Sequence, residues 1–312
     1  MPVSHAGTPG AARADRPRLS RSRWEALVGY AFIAPWLVGF FIWTLGPMLV
    51  SAYLSLVQTD LLSPPKFVGL KNYADLLDDE FFWVALRNTV YYSIGTVGLG
   101  MLASLSLALL MNVPVRGVKL YRTIYYLPAV LPTAPVALLW LQIFNPDSGL
   151  ANYVLSWFGV PPQKWIYSED WAMPCLIMMS IWGIGTGLMI YLAGLQGIQR
   201  DLYDAAHVDG AGWRAELRHI TLPMLSPTIF FNLVLSIIGS FLVFTQSFVM
   251  TNGGPNNATL TYVLYLYKQG FQNFEFGYAS ALAWVLFMIV LVLSALVFRS
   301  APFWVHYEGD AR

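Results

Sequence analysis

The chain has 312 residues, of which 57% are hydrophobic and 11% charged, with a formal net charge of +1 and a mean hydropathy of +0.55. Soluble domains carry about 25% charged residues, so this chain lacks the polar side chains to cover a water-facing surface; it is expected to be an integral membrane protein. The 18 basic residues are spread along the sequence rather than gathered in a patch, which gives no basis for a nucleic-acid interface. The single cysteine, Cys175, lies in an apolar run and has no intrachain disulfide partner, so a packing role is expected for it.

In chain order, residues 1–23 hold Pro, Gly, Ala, Ser and five arginines (Arg13, Arg16, Arg18, Arg21 and Arg23) without apolar periodicity, and read as a disordered basic cytoplasmic tail. The apolar run over 27–56 greatly exceeds the roughly 7–15 residue core of a secretory signal, so it reads as a retained first span, kinked near Gly46-Pro47. Five further stretches reach the ~20 residues that a helix needs to cross hydrocarbon: 89–113, 124–144, 171–195, 228–250 and 278–298. Pro128, Pro132 and Pro135 are expected to break or bend the third. Aromatic clusters at Phe81, Phe82 and Trp83, and at Tyr262, Tyr265 and Tyr267, read as interfacial belts.

Orientation follows from the loops. Arg116, Lys119, Arg122, Arg200, Arg214, Arg218, Arg299 and Arg312 fall on the same side as the tail arginines. The opposite side holds Lys66, Lys71, Lys164 and Lys268, with Arg87 at the mouth of the second span. Positive-inside bias therefore places both termini and the segment 204–223 in the cytoplasm. No Asp, Glu, Lys, Arg or His lies within the six spans, so neither a proton relay nor a voltage sensor is visible. The acidic clusters Asp78-Asp79-Glu80 and Glu169-Asp170 have no His or Cys neighbours and read as solvated loop ends rather than as metal or catalytic sites. No G-x-x-x-x-G-K-[ST] loop occurs, so energy for uphill transport must come from another polypeptide.

The segment 204–223, DAAHVDGAGWRAELRHITLP, is the one long polar passage between apolar runs. It reads as two short helices around a turn at Asp209-Gly210-Ala211. Asp204 favours a helix start, Ala205 and Ala206 allow close approach, and Trp213, Leu217, Ile220 and Leu222 form a greasy face before Pro223 and Pro227. This passage resembles the EAA loop of ABC-importer membrane subunits: EAA, two residues, DGA, five residues, F, two residues, I, any residue, LP. Asp204-Ala205-Ala206, Asp209-Gly210-Ala211, Ile220 and Leu222-Pro223 fall in register, while Asp204 replaces Glu and Leu217 replaces Phe. The resemblance extends over residues 27–300 to carbohydrate permeases of the maltose-permease class. Its passages include Phe67-Val68-Gly69-Leu70-Lys71-Asn72-Tyr73, Leu192-Ala193-Gly194-Leu195-Gln196, Thr251-Asn252-Gly253-Gly254-Pro255 and Phe276-Gly277-Tyr278-Ala279-Ser280-Ala281.

Along the fifth span, Asn232, Ser236, Gly239, Ser240, Val243 and Ser247 recur at intervals of three and four, a small and polar stripe suited to close helix packing or to lining a path. By the resemblance, Ser236, Gly239, Ser240 and Val243, with Trp182, Gly183 and Thr186 on the preceding span, fall where maltose-type permeases hold sugar. An aromatic face such as Trp182 suits the apolar face of a pyranose.

The expected fold is all-α: a polytopic bundle of six transmembrane helices with a cytoplasmic helix-turn-helix coupling loop at 201–223. The expected divisions are 1–23 tail, 24–300 permease domain and 301–312 cytoplasmic tail. The resemblance implies a non-enzymatic permease subunit in a bacterial or archaeal plasma (inner) membrane. Its implied partners are a second homologous permease, two ATPase subunits and an extracytoplasmic solute-binding protein. It also implies a sugar-like solute and no cofactor in this chain, with ATP and Mg bound by the ATPase. A self-sufficient secondary transporter or channel is the alternative, and a membrane enzyme the third class.

Overall fold

The computed structural model describes residues 21–60, 64–113 and 116–306; the expectations for tail residues 1–20 and 307–312 lie outside the described residues. The chain divides into two compact units between Tyr53 and Leu54. The first carries α1 (Arg21–Phe40), a π-helical turn (Phe41–Leu45) and α2 (Gly46–Leu54), which together form an apolar helix, Arg23–Leu54, long enough to cross a membrane. The widened turn sits where a kink was expected: Pro47 has no N–H to give the preceding turn, and the Gly46 N–H bonds back to the Phe41 carbonyl.

The second unit begins with a two-stranded antiparallel ribbon, β1 (Val57–Gln58) and β2 (Lys66–Phe67), pairing Val57 with Phe67. It continues with α3 (Lys71–Leu77), α4 (Glu80–Met111), α5 (Val118–Val130), α6 (Thr133–Ile143), α7 (Leu150–Ser156), α8 (Glu169–Trp182) and α9 (Gly185–Gly197). Then follow α10 (Arg200–Val208), α11 (Trp213–Glu216), a π turn (Leu217–Thr221), α12 (Leu222–Phe241) and α13 (Thr245–Met250). The last elements are α14 (Tyr262–Tyr267), a π turn (Lys268–Gln272) and α15 (Phe276–Ser300). α4 is the central pillar and packs on α8, α9, α12 and α14.

Among the described residues four helices are long and apolar enough to span a membrane, or up to six if each of two bent helix pairs is one span. The third expected span is not one rod: α5 and α6 meet at 100°. Of the three prolines, Pro132 makes the break. Leu131 before it is held extended at φ −73°, ψ 139°, while Pro128 is accommodated inside α5 and Pro135 in the first turn of α6. α8 and α9 meet at 44° across Gly183-Ile184. The second span starts at Glu80 rather than at residue 89, because Asp79 caps it by accepting the Phe81 N–H at 2.9 Å.

Small residues set the helix spacing, since lipid-facing bundles are held by close packing rather than by hydrophobic exclusion. A Cβ at Gly185 would lie 2.6 Å from the Tyr125 carbonyl oxygen, and one at Gly194 would lie 2.6 Å from Thr228 Oγ1. These approaches bind α9 to α5 and to α12.

The aromatic clusters read as interfacial belts are partly core instead. Phe82, Tyr262 and Tyr265 are buried against Leu76, Ala85 and Leu282. The backbone explains it: α14 folds back onto α4, with the Tyr262 N–H bonded to Thr89 Oγ1 at 2.8 Å and Asn88 Nδ2 donating to the Asn257 and Leu260 carbonyls at 2.8 and 3.1 Å. At the same end, the Tyr265 and Tyr278 hydroxyls both donate to Asp79 Oδ2. Burial, and then the Asp79 carboxylate, push the Tyr265 hydroxyl up to about 12. Cys175 is fully buried among Met173, Leu176 and Met179, so its packing role is a core one.

Candidate functional site

Two places bring the sequence-selected residues together: the segment after α9 and a cavity between the helices. The first is a hairpin. α10 ends in a Schellman turn, in which the Ala211 N–H reaches the Ala206 carbonyl at 2.9 Å and the Gly210 N–H reaches His207 at 3.1 Å. Gly210 sits at φ +76°, a left-handed conformation that side chains disfavour, with open space around it. The turn at Asp209-Gly210-Ala211 thus stands where the sequence put it.

Two details of the loop differ from expectation. α10 starts at Arg200, so Asp201 rather than Asp204 occupies the first turn and meets the positive end of the helix. The second limb is no separate short helix: α11 runs through the π turn into α12, carrying Leu217, Ile220, Leu222 and Pro223 into the base of the fifth span. Pro223 is the second residue of α12, immediately after the π turn, where the locally widened helix accommodates a residue without an N–H.

The limbs are fastened to each other and to the bundle. His207 Nε2 lies 3.0 Å from Glu216 Oε1, and the Tyr203 hydroxyl lies 3.0 Å from Thr221 Oγ1. Tyr203 and Ile220 pack on a buried cluster of Met111, Leu188, Leu192, Leu195 and Leu225. With this face committed, Asp204, Ala205 and Asp209 point outward. Val208 is 88% exposed and Trp213 68% exposed beside them. Sequence reasoning missed His207, Glu216, Tyr203 and Thr221, because the chain reversal that pairs them has no local periodicity.

The second place is a cavity of about 320 Å³ walled by α4, α5, α8 and α12. Trp182, Gly183, Ser236, Gly239 and Ser240 line it, five of the seven positions selected on that ground. Thr186 and Val243 do not. Thr186 follows the α8–α9 break, which turns it to an exposed position. Val243 lies in the irregular break between α12 and α13, 5% exposed within the core cluster of Tyr92, Met179 and Met250. Residues the sequence did not select also line the cavity, namely Tyr92, Thr96, Ser180 and Gln246. The Tyr92 hydroxyl and Ser180 Oγ are 2.6 Å apart, and Trp182 meets Trp140 edge-on at 6.1 Å between centroids. Every lining group is uncharged, so the cavity offers hydroxyls, an amide and an aromatic wall but no ion pair. Among the described residues no group of three or more His, Cys, Asp or Glu could hold a metal.

Residues 96–302 match the family described as binding-protein-dependent transport system inner membrane component. The chain is similar to the probable ABC transporter permease protein YesP of Bacillus subtilis (strain 168), at 39% identity over 95% of this chain and 97% of the relative. It is also similar to the arabinooligosaccharides transport system permease protein AraP of the same strain, at 35% identity over 86% of each chain. Among solved structures it resembles a chain of a bacterial alginate ABC transporter in complex with an alginate pentasaccharide-bound periplasmic protein. The TM-score is 0.81 and the identity 26%, covering 91% of this chain and 97% of that one. With the family match spanning most of the helical bundle, the chain belongs to the binding-protein-dependent inner membrane components: it is a multi-pass permease of an ATP-driven importer.

Proposed function

We propose that this chain forms half of the translocation path for a sugar or related polyhydroxylated solute and receives its driving force at the hairpin 204–223. One observation carries the reading: a rigid outward hairpin and an uncharged, aromatic-walled cavity lie at opposite ends of α9. Gly183, beside its start, lines the cavity. Its last residue, Gly197, is separated from α10 by only Ile198 and Gln199. Close packing at Gly185 and Gly194 makes α9 a stiff connector, so displacement of α10 is transmitted to the cavity wall.

In this reading Asp204, Ala205, Ala206, Asp209, Gly210 and Ala211 seat in a separate ATPase, with Val208 and Trp213 supplying apolar contact. Leu217, Ile220, Leu222 and Pro223 anchor the hairpin to the bundle. ATP and Mg belong to that ATPase. The assembly comprises this chain, a second homologous permease, two ATPase subunits and an extracytoplasmic binding protein that delivers the solute. Both termini lie in the cytoplasm, following the arginine distribution. The sugar class is supported by Trp182, Ser236 and Ser240 lining one uncharged cavity, and by the arabinooligosaccharide and alginate systems to which the chain is similar.

Reconstitution in vesicles tests the reading. Uptake is expected only when the ATPase, partner permease and loaded binding protein are all present. Solute uptake by this chain alone, without ATPase, would overturn it.

A further inference from the structure

The two acidic clusters that the sequence leaves as solvated loop ends meet in the fold. Glu80 in the first turn of α4 and Glu169 and Asp170 in the first turn of α8 line one cavity of about 460 Å³, and Arg87, two turns along α4, lines it with them. Its third wall is the loop 251–261, through Asn256 and Asn257. This is the end of the α8–α9 pair opposite the hairpin, extracytoplasmic by the arginine distribution. Further into the bundle the same two helices line the solute cavity: on α4 Asn88 lines the acidic cavity and Tyr92 the solute cavity, and on α8 Met173 lines the one and Met179 the other. Whatever fills the acidic cavity therefore stands over the path. A helix N-terminus favours each acid singly, but that does not account for their convergence on one space with an arginine.

The fold leaves most of these charges unused. Among the described residues the side chains of Glu80, Arg87 and Asp170 make no ion pair or hydrogen bond, although opposite charges line the same space. Glu169 alone is engaged, accepting from Asn256 Nδ2, a bond that fastens the rim without neutralising it. The loop behind that rim is held rigid. Thr259 Oγ1 donates to the Gly254 carbonyl at 2.8 Å and lies 2.6 Å from Thr251 Oγ1, while Lys268 Nζ donates to the Asn252 carbonyl at 2.9 Å. Asn252, Asn256 and Asn257 are held at φ +47°, +43° and +60°, a left-handed region that asparagine tolerates better than most residues with a side chain. A loop so tied presents its exposed Asn252 and Asn256 in one arrangement, without the ordering cost that a mobile loop meets on binding.

We propose that this cavity seats a basic side chain, lysine or arginine, presented by the extracytoplasmic solute-binding protein, with the loop 251–261 as the rigid rim of the seat. The inference rests on the importer reading above. Three carboxylates face one guanidinium, so the cavity is negative on balance and complementary to a cation. Among the described residues these acids do not converge closely enough to hold a metal ion, so the cation that fits is an extended one carried on a side chain. The occupant is the binding protein because the family is binding-protein-dependent and the seat stands over the path at its extracytoplasmic end. A basic side chain held there registers the delivering protein over the solute cavity.

Affinity of the purified, solute-loaded binding protein for the assembled importer in nanodiscs tests it, at low and at physiological ionic strength. Glu169→Gln combined with Asp170→Asn is expected to weaken binding about tenfold at low ionic strength and by less at physiological salt. Asp170→Arg is expected to weaken it further, and a basic-to-acidic substitution in the binding protein to restore it. Asp75→Asn, which removes an exposed acid of α3 outside the cavity, is expected to bind as wild type. Wild-type affinity for the double variant overturns the proposal while leaving the importer reading intact, and so does equal weakening by Asp75→Asn. Loss of the second permease from the assembly, with binding-protein affinity of the remaining intact assemblies unchanged, assigns the cavity to a contact between permeases and also overturns it. A wild-type assembly that does not bind the binding protein at all defeats both readings. If the double variant fails to assemble, Asp170→Asn alone, whose side chain the fold leaves unbonded, gives the same readout.

Discussion

Replacing Gly210 separates the conformational demand of the hairpin from every other contact. Nothing lies within 4 Å of a Cβ built at Gly210 or at Gly212, so neither substitution to alanine creates a clash. The two differ in backbone alone: Gly210 sits at φ +76° and Gly212 at φ −87°. Alanine in the left-handed region costs roughly 1–2 kcal/mol. The Tyr203–Thr221 bond and the exposed His207–Glu216 pair each return at most about 1 kcal/mol toward keeping the limbs closed. Gly210→Ala therefore consumes most of the hairpin's reserve without opening it, and ATPase docking weakens by no more than about tenfold. Proline is a different case. It fixes φ near −65°, a rotation of about 140° from the native value, and it deletes the N–H that bonds to His207 at 3.1 Å. A cost of about 3 kcal/mol or more exceeds what the braces return, so docking falls by at least about 100-fold. The assay is titration of the purified ATPase against the solubilised permease pair, with a thermal melt of the permease to establish that the spans remain folded. Gly212→Ala is expected to dock as wild type. Wild-type affinity for Gly210→Pro, or equal damage from Gly210→Ala and Gly212→Ala, would refute the reasoning.

Trp182→Ala, which removes the aromatic wall of the cavity, is expected to lower uptake by about tenfold with ATPase docking unchanged, and Trp182→Tyr to restore most of it; uptake assays in vesicles check both. Gly185→Ala pushes a methyl against the Tyr125 carbonyl oxygen at 2.6 Å and Tyr126 Cα at 2.8 Å; these are backbone atoms that cannot rotate away, so a loss of about 1–3 kcal/mol is expected in the melt. Gly98→Ala, with open space around it, is the neutral comparison. Asp79→Ala removes the cap of α4 and the acceptor shared by Tyr265 and Tyr278, costing about 2–3 kcal/mol, and hydrogen exchange at the Phe81 amide is expected to accelerate. Because burial, and then the Asp79 carboxylate, push the Tyr265 hydroxyl from 10.0 up to about 12, the fold favours the neutral phenol. Its contribution to stability is complete below the unfolded value and is lost as pH rises from about 10 to 12. Tyrosinate absorbance compared with Tyr265→Phe measures that window.

Much was settled by the sequence alone, for reasons that are local or global but never intermediate. The shortage of charge forces membrane residence, the apolar run lengths give the spans, and the Asp209-Gly210-Ala211 turn follows from the need for a positive φ. Those properties depend on composition or on four consecutive residues. Tertiary structure decided the rest, because it joins residues that no period connects. Three prolines in eight residues leave the break undecided in sequence; in the structure it falls at Pro132, and α9 packs Gly185 against α5 on one side of it. The breaks at Gly183-Ile184 and at 242–244 removed Thr186 and Val243 from the cavity and left Tyr92 and Gln246 in it. The bracing of His207 by Glu216 is a consequence of helix packing, which sets distances between segments that the chain itself leaves free.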